Sequence, residues 1–484
     1  MPSQKRLLLF FATIITLVVI AGCGGGNHLS FPPPQGGFTN ANFSGPFAFS
    51  YTGSDGNGFL AVAGSFQADG SGHITSGTQD INSGAGIFTN AAISGTYTVR
   101  ADGRGSATLN STVGNTTIDF VIVASGHALV TRFDNRAAGS GTIDQQTTSA
   151  FSNAALAGSF AFSLTGIDTV NNPLAVAGNF TADATGNITS GVDDSNDNGG
   201  IVVNDPLTGS IPVAASGRGT ATFNTVRGAL SFAYYVVDAS HLKIVETDAS
   251  IALGGEAFRQ TGPFSNASVS GPFAFTIAGA SLLSGGPFAA GGVFTSNGTG
   301  TVTSGTEDFN NAGTITTNVG LTGSYTMAAT GRGTLTITTT AGTFTFVIYP
   351  SSGGVLALET DVGFLTTGTA LQQSGTFGNA TLSGTYGLNF TGVTTSGEID
   401  SVAQFTADGA SKVTGIIDLN NTGGITFGQP LSGNFTAAAS GRTTLALQTP
   451  LGTQNLAVYM VNGNRALFVE LDGGLVAAGD IRHQ

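Results

Sequence analysis

Residues 38–45 read Phe-Thr-Asn-Ala-Asn-Phe-Ser-Gly, and the same frame, Phe-x-Asn-Ala-x-[Phe/Leu/Val]-x-Gly, begins again at Phe151, Phe264 and Phe377. Each copy starts 113 residues after the one before it. This period is far longer than the ~20–50 residues of a solenoid or propeller unit and close to the usual size of an independent domain. The chain is therefore predicted to carry four whole domains in tandem, at residues 38–150, 151–263, 264–376 and 377–484.

The residues within one copy predict β-strands joined by short turns. Phe47, Phe49 and Tyr51 alternate with small or polar residues, which is the period of a half-buried strand. Further apolar runs follow, separated by turns such as Asp69-Gly70, and the pattern gives eight consecutive strands with no sustained helical period. Such an all-β antiparallel meander can remove its exposed edges by closing into an up-and-down barrel, and a two-sheet β-sandwich is the alternative.

Two short glycine motifs recur in the predicted strands. The first strand of each copy opens on Gly-x-Phe or Gly-x-Tyr, at Gly45, Gly158, Gly271 and Gly384, and residues 321–325 of the fourth strand read Leu-Thr-Gly-Ser-Tyr. These motifs resemble the avidin/lipocalin (calycin-type) barrels, which implies eight-stranded barrels that can each hold a small molecule. Those families line or close the ligand site with Trp, and this chain has none, so the resemblance concerns topology and not the ligand.

The first 22 residues have the features of a secretory signal peptide. Lys5 and Arg6 precede an apolar run at residues 7–20, which is too short to span a bilayer. The run is followed by Ala21-Gly22-Cys23, which resembles the end of a bacterial lipobox, and Cys23 is the single cysteine of the chain. The resemblance implies that Cys23 receives lipid, palmitate included, and becomes the first residue of the mature protein.

Residues 23–37 are rich in Gly and contain Pro32-Pro33-Pro34, a composition typical of a tether. The predicted protein is therefore exported and anchored by lipid to a bacterial envelope membrane, with the outer membrane or cell surface expected because Gly24, and not Asp, follows the cysteine. The net charge of −13 and the lack of basic runs argue against a nucleic-acid partner.

Two polar motifs recur at equivalent positions in all four copies. An Asp-x-Asn pair could begin a calcium site, with an Asx-type turn as the structural alternative. An Arg that follows Gly could contact an anion, or could pair with a neighbouring carboxylate such as the acidic end of strand seven. These possible polar sites are Asp80, Asn82, Arg104, Asp194, Asn196, Arg218, Asp308, Asn310, Arg332, Asp418, Asn420 and Arg442.

The predicted seventh strand has an acidic end in all four copies, where the first copy has Arg132 in place of the Glu. The acidic residues are Asp134, Glu246 with Asp248, Glu359 with Asp361, and Glu470 with Asp472. Paired carboxylates could serve a glycosidase, but the Arg breaks the pattern, and a solvated strand end is predicted. No His/Cys/Asp cluster has metal-ligand spacing, and no Ser/His/Asp set or phosphate-binding loop is present. The sequence therefore predicts no catalytic residue, no metal and no cofactor.

The predicted function is that of a non-enzymatic envelope or surface lipoprotein, whose four domains adhere, bind or act as spacers. Four linked copies suit multivalent contact with carbohydrate or a cell-surface polymer. The alternative is a set of calycin-type barrels that bind small molecules, and a hydrolase comes third. Large inward side chains on strands one, two and four are sufficient to fill a barrel, so the interior volume decides between the first two hypotheses.

Overall fold

The computed structural model describes residues 37–249, 251–422 and 424–484, so the predicted signal peptide, Cys23 and nearly all of the tether lie outside the described residues. The described chain folds into four closed, eight-stranded antiparallel barrels in tandem, each built from one repeat. This confirms the predicted all-β class and the up-and-down barrel, and it excludes the sandwich. Within the described ranges, no helix is long and apolar enough to cross a membrane.

The strands of each barrel are numbered one to eight in chain order. Barrel one consists of Ser44–Asp55, Gly58–Asp69, His73–Ser83, Gly86–Val99, Arg104–Ser111, Thr116–Ala124, His127–Arg132 and Ala137–Gln145. Barrel three consists of Ser270–Ser281, Gly286–Asn297, Thr301–Asn311, Thr314–Met327, Gly333–Thr339, Gly342–Ser351, Gly354–Glu359 and Phe364–Gln372. Barrel four consists of Ser383–Thr394, Gly397–Asp408, Lys412–Asn421, Gly424–Ala437, Arg442–Thr449, Gly452–Asn462, Arg465–Glu470 and Leu475–His483.

Barrel two has its fourth strand in two pieces that flank Leu207, and its closure is completed by the pairing of strands two and three. Its strands are Gly158–Ile167, Pro173–Ala182, Asn187–Asp197, Gly200–Pro206 with Thr208–Ser210, Arg218–Thr225, Gly228–Asp238, His241–Glu246 and Ala252–Arg259. The short helical segments, which all lie before a first strand, are Asn40–Asn42, Thr148–Ala150, Asn153–Leu156, Asn266–Ser268 and Asn379–Thr381.

The two ends of every barrel differ because the strands run up and down. The hairpins one–two, three–four, five–six and seven–eight lie at one end, which we call the hairpin end. The other end, which we call the plugged end, is covered by the repeated frame. There the frame's Asn accepts a hydrogen bond from the backbone at the end of strand four. The donors are Val99 N–H to Asn40 at 2.8 Å, Val213 to Asn153 at 2.9 Å, Met327 to Asn266 at 2.8 Å and Ala437 to Asn379 at 2.8 Å.

Large aromatic side chains fill the interior of barrel one, as the alternation predicted. Phe47, Phe49 and Phe66 are at most 3% exposed and lie 5.7–5.8 Å apart between ring centroids across strands one and two. Gly64 faces the Phe49 ring, and a Cβ there would come within 2.5 Å of it. Strand two therefore needs glycine at this point because the ring occupies the space of a side chain.

The four barrels pack side by side into a closed ring. Strands one and two of each barrel contact strands six to eight of the next, and the fourth barrel makes the same contacts with the first. Small residues such as Ala48 and Ala63 on the outside of barrel one receive Tyr235 and Val237 of barrel two. The same two surfaces meet at all four junctions, so successive barrels are related by a similar rotation, and four such rotations close the ring. Nothing in the repeat predicted a contact between the fourth domain and the first.

The hairpin ends of all four barrels lie on the same face of the ring. At every junction, an Asn at the end of strand three donates to backbone carbonyls at the seven–eight hairpin of the next barrel. These bonds run from Asn82 to Ile251, from Asn196 to Asp361, from Asn310 to Asp472 and from Asn420 to Asp134. The chain enters at the opposite face, because Gly37 precedes the plugged end of barrel one.

The closing junction predicts that the position of the chain break matters little. We expect a permuted chain that begins at Phe151, joins Gln484 to Phe38 through the Thr-Thr-Ser-Ala of residues 147–150, and ends at Gln146 to form the same ring. In thermal unfolding it should show one transition within a few degrees of the mature chain. Two transitions, or a midpoint lower by tens of degrees, would mean that the junction between barrels four and one is weaker than the other three junctions.

Candidate functional site

The recurring Arg and the recurring Asp meet across the barrel junctions. Arg218 of barrel two donates from Nε to Asp80 Oδ2 at 2.8 Å and from Nη2 to Oδ1 at 2.6 Å. The same carboxylate accepts the Tyr235 hydroxyl and the Asn90 N–H, and Asp80 is fully buried. Burial, and then the charge of Asp80, raises the pKa of the Tyr235 phenol well above its usual range, so the phenol remains a donor. All of these bonds but one come from the neighbouring barrel.

The other junctions repeat this ion pair, with one change at the closing junction. There Arg104 lies between Asp102 of its own barrel, at 3.0 Å, and Asp418 of barrel four, at 2.8 Å. Val121 occupies the place of the tyrosine and packs against Val402. The remaining pairs, each with two hydrogen bonds and a tyrosine hydroxyl, are Arg332–Asp194 with Tyr349 and Arg442–Asp308 with Tyr459.

The glutamine that ends each repeat is a further junction residue, and its role was not predicted from the sequence. Gln260 donates to the carbonyls of Gly331 at 3.1 Å and Pro350 at 2.9 Å in barrel three. Gln484, the last residue, reaches Asp102 and Ile122 of barrel one in the same way. The recurrence of this Gln in all four copies was the signal that could have identified it.

The recurring polar residues therefore hold the barrels together. The sequence had suggested that each Arg pairs with the acidic end of strand seven. Instead, each Arg binds the Asp of the preceding barrel, because the packing of neighbouring barrels brings these two residues together. The Asp of each Asp-x-Asn motif accepts hydrogen bonds from an Arg of the next barrel, and across the described ranges no three His, Cys, Asp or Glu side chains are placed to hold a metal ion.

The acidic end of strand seven is buried and not solvated, which corrects the sequence prediction. Glu246, Glu359 and Glu470 are at most 1% exposed, because they continue the inward-facing alternation of the strand. Burial raises the pKa of Glu246 to about 9, of Glu359 to about 8 and of Glu470 to about 10. These side chains line the interiors of their barrels near the hairpin end.

The interior of the third barrel contains a cavity of about 390 Å³. Its wall is almost wholly apolar, with Phe275, Phe294 and Ile348 among the side chains that form it. It reaches the surface at the hairpin end, where the lining residue Leu283 is 78% exposed and Gly342 is also exposed. The fourth barrel keeps a void of only about 10 Å³.

Smaller inward side chains create this cavity. Ala357 on strand seven pairs with Ile348 on strand six, and the equivalent pairs in the other barrels are bulkier. They are Val130 with Phe120, Ile244 with Tyr234, and Phe468 with Val458. Ala290 similarly replaces a valine of barrels one and two, Val62 and Val176. An alignment of the four repeats contained this signal, although the sequence interpretation weighed only the large residues.

Two carboxyl groups form the acidic part of the cavity wall. Glu307 is 8% exposed and Glu359 is 1% exposed, and the latter accepts a hydrogen bond of 2.5 Å from Thr366. Burial, with the charge of Asp308 second, raises the pKa of Glu307 to about 7. Burial also raises the pKa of Glu359, on which the charges of Asp361 and Glu307 act in the same direction. At neutral pH a substantial fraction of both carboxyl groups is therefore uncharged in this cavity of barrel three, which we call the cup.

Two polar clefts of about 330 and 340 Å³ lie where strands one and eight of the barrels face one another in the middle of the ring. Beside the first, Lys243 is fully buried and bonds Thr142 at 2.6 Å, Glu256 at 2.8 Å and Asp144 at 2.8 Å. Burial alone would lower the pKa of Lys243, but the charges of Asp144 and Glu256 raise it. This ion cluster joins barrels one and two.

Comparisons with known proteins give no family. No family model matches the chain, and no curated protein matches it. Among solved structures, the chain is similar to a mutant of the vaccine antigen Transferrin Binding Protein B from Haemophilus parasuis, at 10% identity over 74% of this chain and 83% of that one, with a TM-score of 0.21. It is also similar to a protein of unknown function from Nostoc punctiforme, at 7% identity over 91% and 95%, with a TM-score of 0.16. TM-scores this low carry no argument about function.

The junction geometry predicts that Arg218→Met is strongly destabilising. The substitution leaves the buried Asp80 carboxylate without its cation, which should reduce the free energy of unfolding by about 3–5 kcal/mol. The matched control is Arg136→Met, because Arg136 is 55% exposed and its contact with Asp134 is long, at 3.4 Å. Removing this exposed ion pair should reduce the free energy of unfolding by about 0–1 kcal/mol. Urea unfolding measures both, and equal losses would contradict the structural role of the junction pair.

Proposed function

We propose that the protein is an exported lipoprotein that binds a small apolar molecule in its third barrel, with the ring of four barrels as a rigid support. The cavity of about 390 Å³ is the observation that carries this proposal. It lies within the ~300–1,000 Å³ typical of ligand pockets and has their mainly apolar wall with a few polar groups. The calycin-type alternative of the sequence is thus favoured for one barrel and not for all four.

The junction contacts weigh against the multivalent adhesion hypothesis. In that hypothesis the repeated polar residues would present four similar sites to carbohydrate or a surface polymer. In the ring, the repeated Asp, Asn, Arg and Gln side chains bind the neighbouring barrels instead. What differs between barrels is the interior, so a binding site that occurs once fits the observations better than one that occurs four times.

The anchor belongs to the proposal and rests on the lipobox resemblance at Cys23. A lipid there would attach the protein through residues 24–36 to Gly37, beside the plugged end of barrel one. The cup opens at the hairpin end, on the opposite face of the ring. Binding, and not catalysis, is proposed because the wall is mainly apolar.

Filling the cup should strongly weaken the binding of an uncharged apolar probe. We expect Ala357→Phe to weaken the affinity for N-phenylnaphthylamine by about tenfold or more, because the ring would occupy the cavity as Phe468 does in barrel four. Fluorescence titration of the mature protein measures this. The converse variant, Phe468→Ala, should open a second site at a cost of about 3–5 kcal/mol in stability. Unchanged probe binding by Ala357→Phe would reject the cup.

Lipidation predicts a label on a single residue. Cells that express the full chain and are fed a palmitate analogue should label the protein, and Cys23→Ser should remove the label and release the protein from the membrane fraction. The same variant should retain the probe binding described above, because the ring does not include Cys23. Label that persists in the variant would reject the anchor without affecting the cup.

A further inference from the structure

We propose that the molecule held in the third barrel is a small apolar amine, whose ammonium group is bound by Glu307 and Glu359. This inference rests on the proposed function, because it assigns the polar end of the same cup. It is carried by a comparison of equivalent positions in the four barrels, combined with the geometry of the cavity.

A cation of the protein itself accompanies the equivalent positions in barrels one and two. In barrel two, Asp193 stands where barrel three has Glu307, and Arg227 binds it at 2.5 Å. In barrel one, Arg132 stands in the place of Glu359 and bonds Asp134 at 3.2 Å. In barrel two the Arg therefore accounts for one of two acids, because Glu246, at the position of Glu359, has no ion pair with a described residue, and barrel one has no acid at that position.

The third barrel has acids at both positions, and none of the described cations forms an ion pair with either one. The titratable side chains in its cavity wall are Glu307, Glu359 and Tyr325, and the Tyr325 hydroxyl already donates to the Val269 carbonyl at 2.7 Å. Barrel four has Ile417 in the place of Glu307 and no comparable space. In the third barrel, two acids that form no ion pair with the described residues line a cavity that opens to the surface.

The position of the two acids suits an amphipathic amine. Glu359 is the last residue of strand seven and Glu307 lies four residues before the end of strand three, so both are near the hairpin end, where the cavity opens. The apolar wall continues from there to Phe294 and Val302, toward the plugged end. An amine would place its charged head near the mouth and its hydrocarbon part inside.

The charge of the cup also discriminates between ligands of one shape. A carboxylate ligand finds no cation in the cup and would oppose ionisation of either acid, so it should bind more weakly than the amine, whereas an alcohol offers only hydrogen bonds. A bound ammonium favours the charged form of a carboxyl group. At neutral pH, binding should therefore convert a carboxylic acid to a carboxylate that pairs with the ammonium, and the proton should pass to the buffer.

The test compares octylamine, octanol and octanoate, which share one chain length and differ in the head group. We expect isothermal titration of the mature protein at pH 7 to show octylamine binding about tenfold or more tightly than octanol, and also more tightly than octanoate. The octylamine heat should change between buffers of different ionisation enthalpy, because binding releases protons. Glu307→Gln and Glu359→Gln should each reduce the preference for the amine while octanol still binds. The matched control Glu470→Gln, in barrel four, should leave all three titrations unchanged.

The outcomes separate this inference from the function on which it rests. Equal affinities for octylamine and octanol, or no proton release on amine binding to the unaltered protein, would overturn the amine while leaving the cup in place. The proton measurement needs no variant, so it decides even if a glutamine substitution fails to fold. Binding that Ala357→Phe does not reduce would overturn the cup itself.

Discussion

The structure depends on an ion pair whose two halves belong to different domains. Asp80 is fully buried at the junction, and most of the donors that satisfy it, from Arg218 and Tyr235, come from the next barrel. A buried carboxylate without its cation is costly, so barrel one is not satisfied by its own residues. The same incompleteness recurs at each junction. The barrels are thus separate in topology, yet each supplies hydrogen-bond donors to a buried carboxylate of its neighbour.

This arrangement separates the residues that build the ring from those that can bind a ligand. The outer faces of strands one to three and six to eight are committed to neighbours, so changes there affect two barrels at once. Although Glu246 accepts a hydrogen bond from Asn82 of barrel one, the inward faces mainly contact their own barrel and are free to differ. The result is visible in the seventh strand, where the same inward position holds Val130, Ile244, Ala357 and Phe468. Binding chemistry can therefore change in one barrel while the ring stays the same.

The sequence predicted what depends on local pattern and missed what depends on contact between repeats. The alternation at Phe47 and Phe49 and the Asp-Gly turns predicted the eight strands and favoured the barrel, while a sandwich remained the alternative. The recurrence of Arg218 and Asp80 was noticed, but their partnership joins residues 138 positions apart, which no period within one repeat encodes. The burial of Glu359 follows from the alternation of strand seven and was predictable. The cup was predictable too, since Ala357 could have been compared with Phe468.

Closure of the ring fixes the number of repeats. In an open solenoid, each unit contacts its neighbours and a copy can be gained or lost at a modest cost. Here Gln484 and Asp418 of the fourth barrel bind Ile122 and Arg104 of the first. A gene that lost one copy would leave a gap too wide for these contacts, and one that gained a copy would have no place for it. Duplication could thus build this protein stepwise, but selection for the finished ring would favour four copies and no other number.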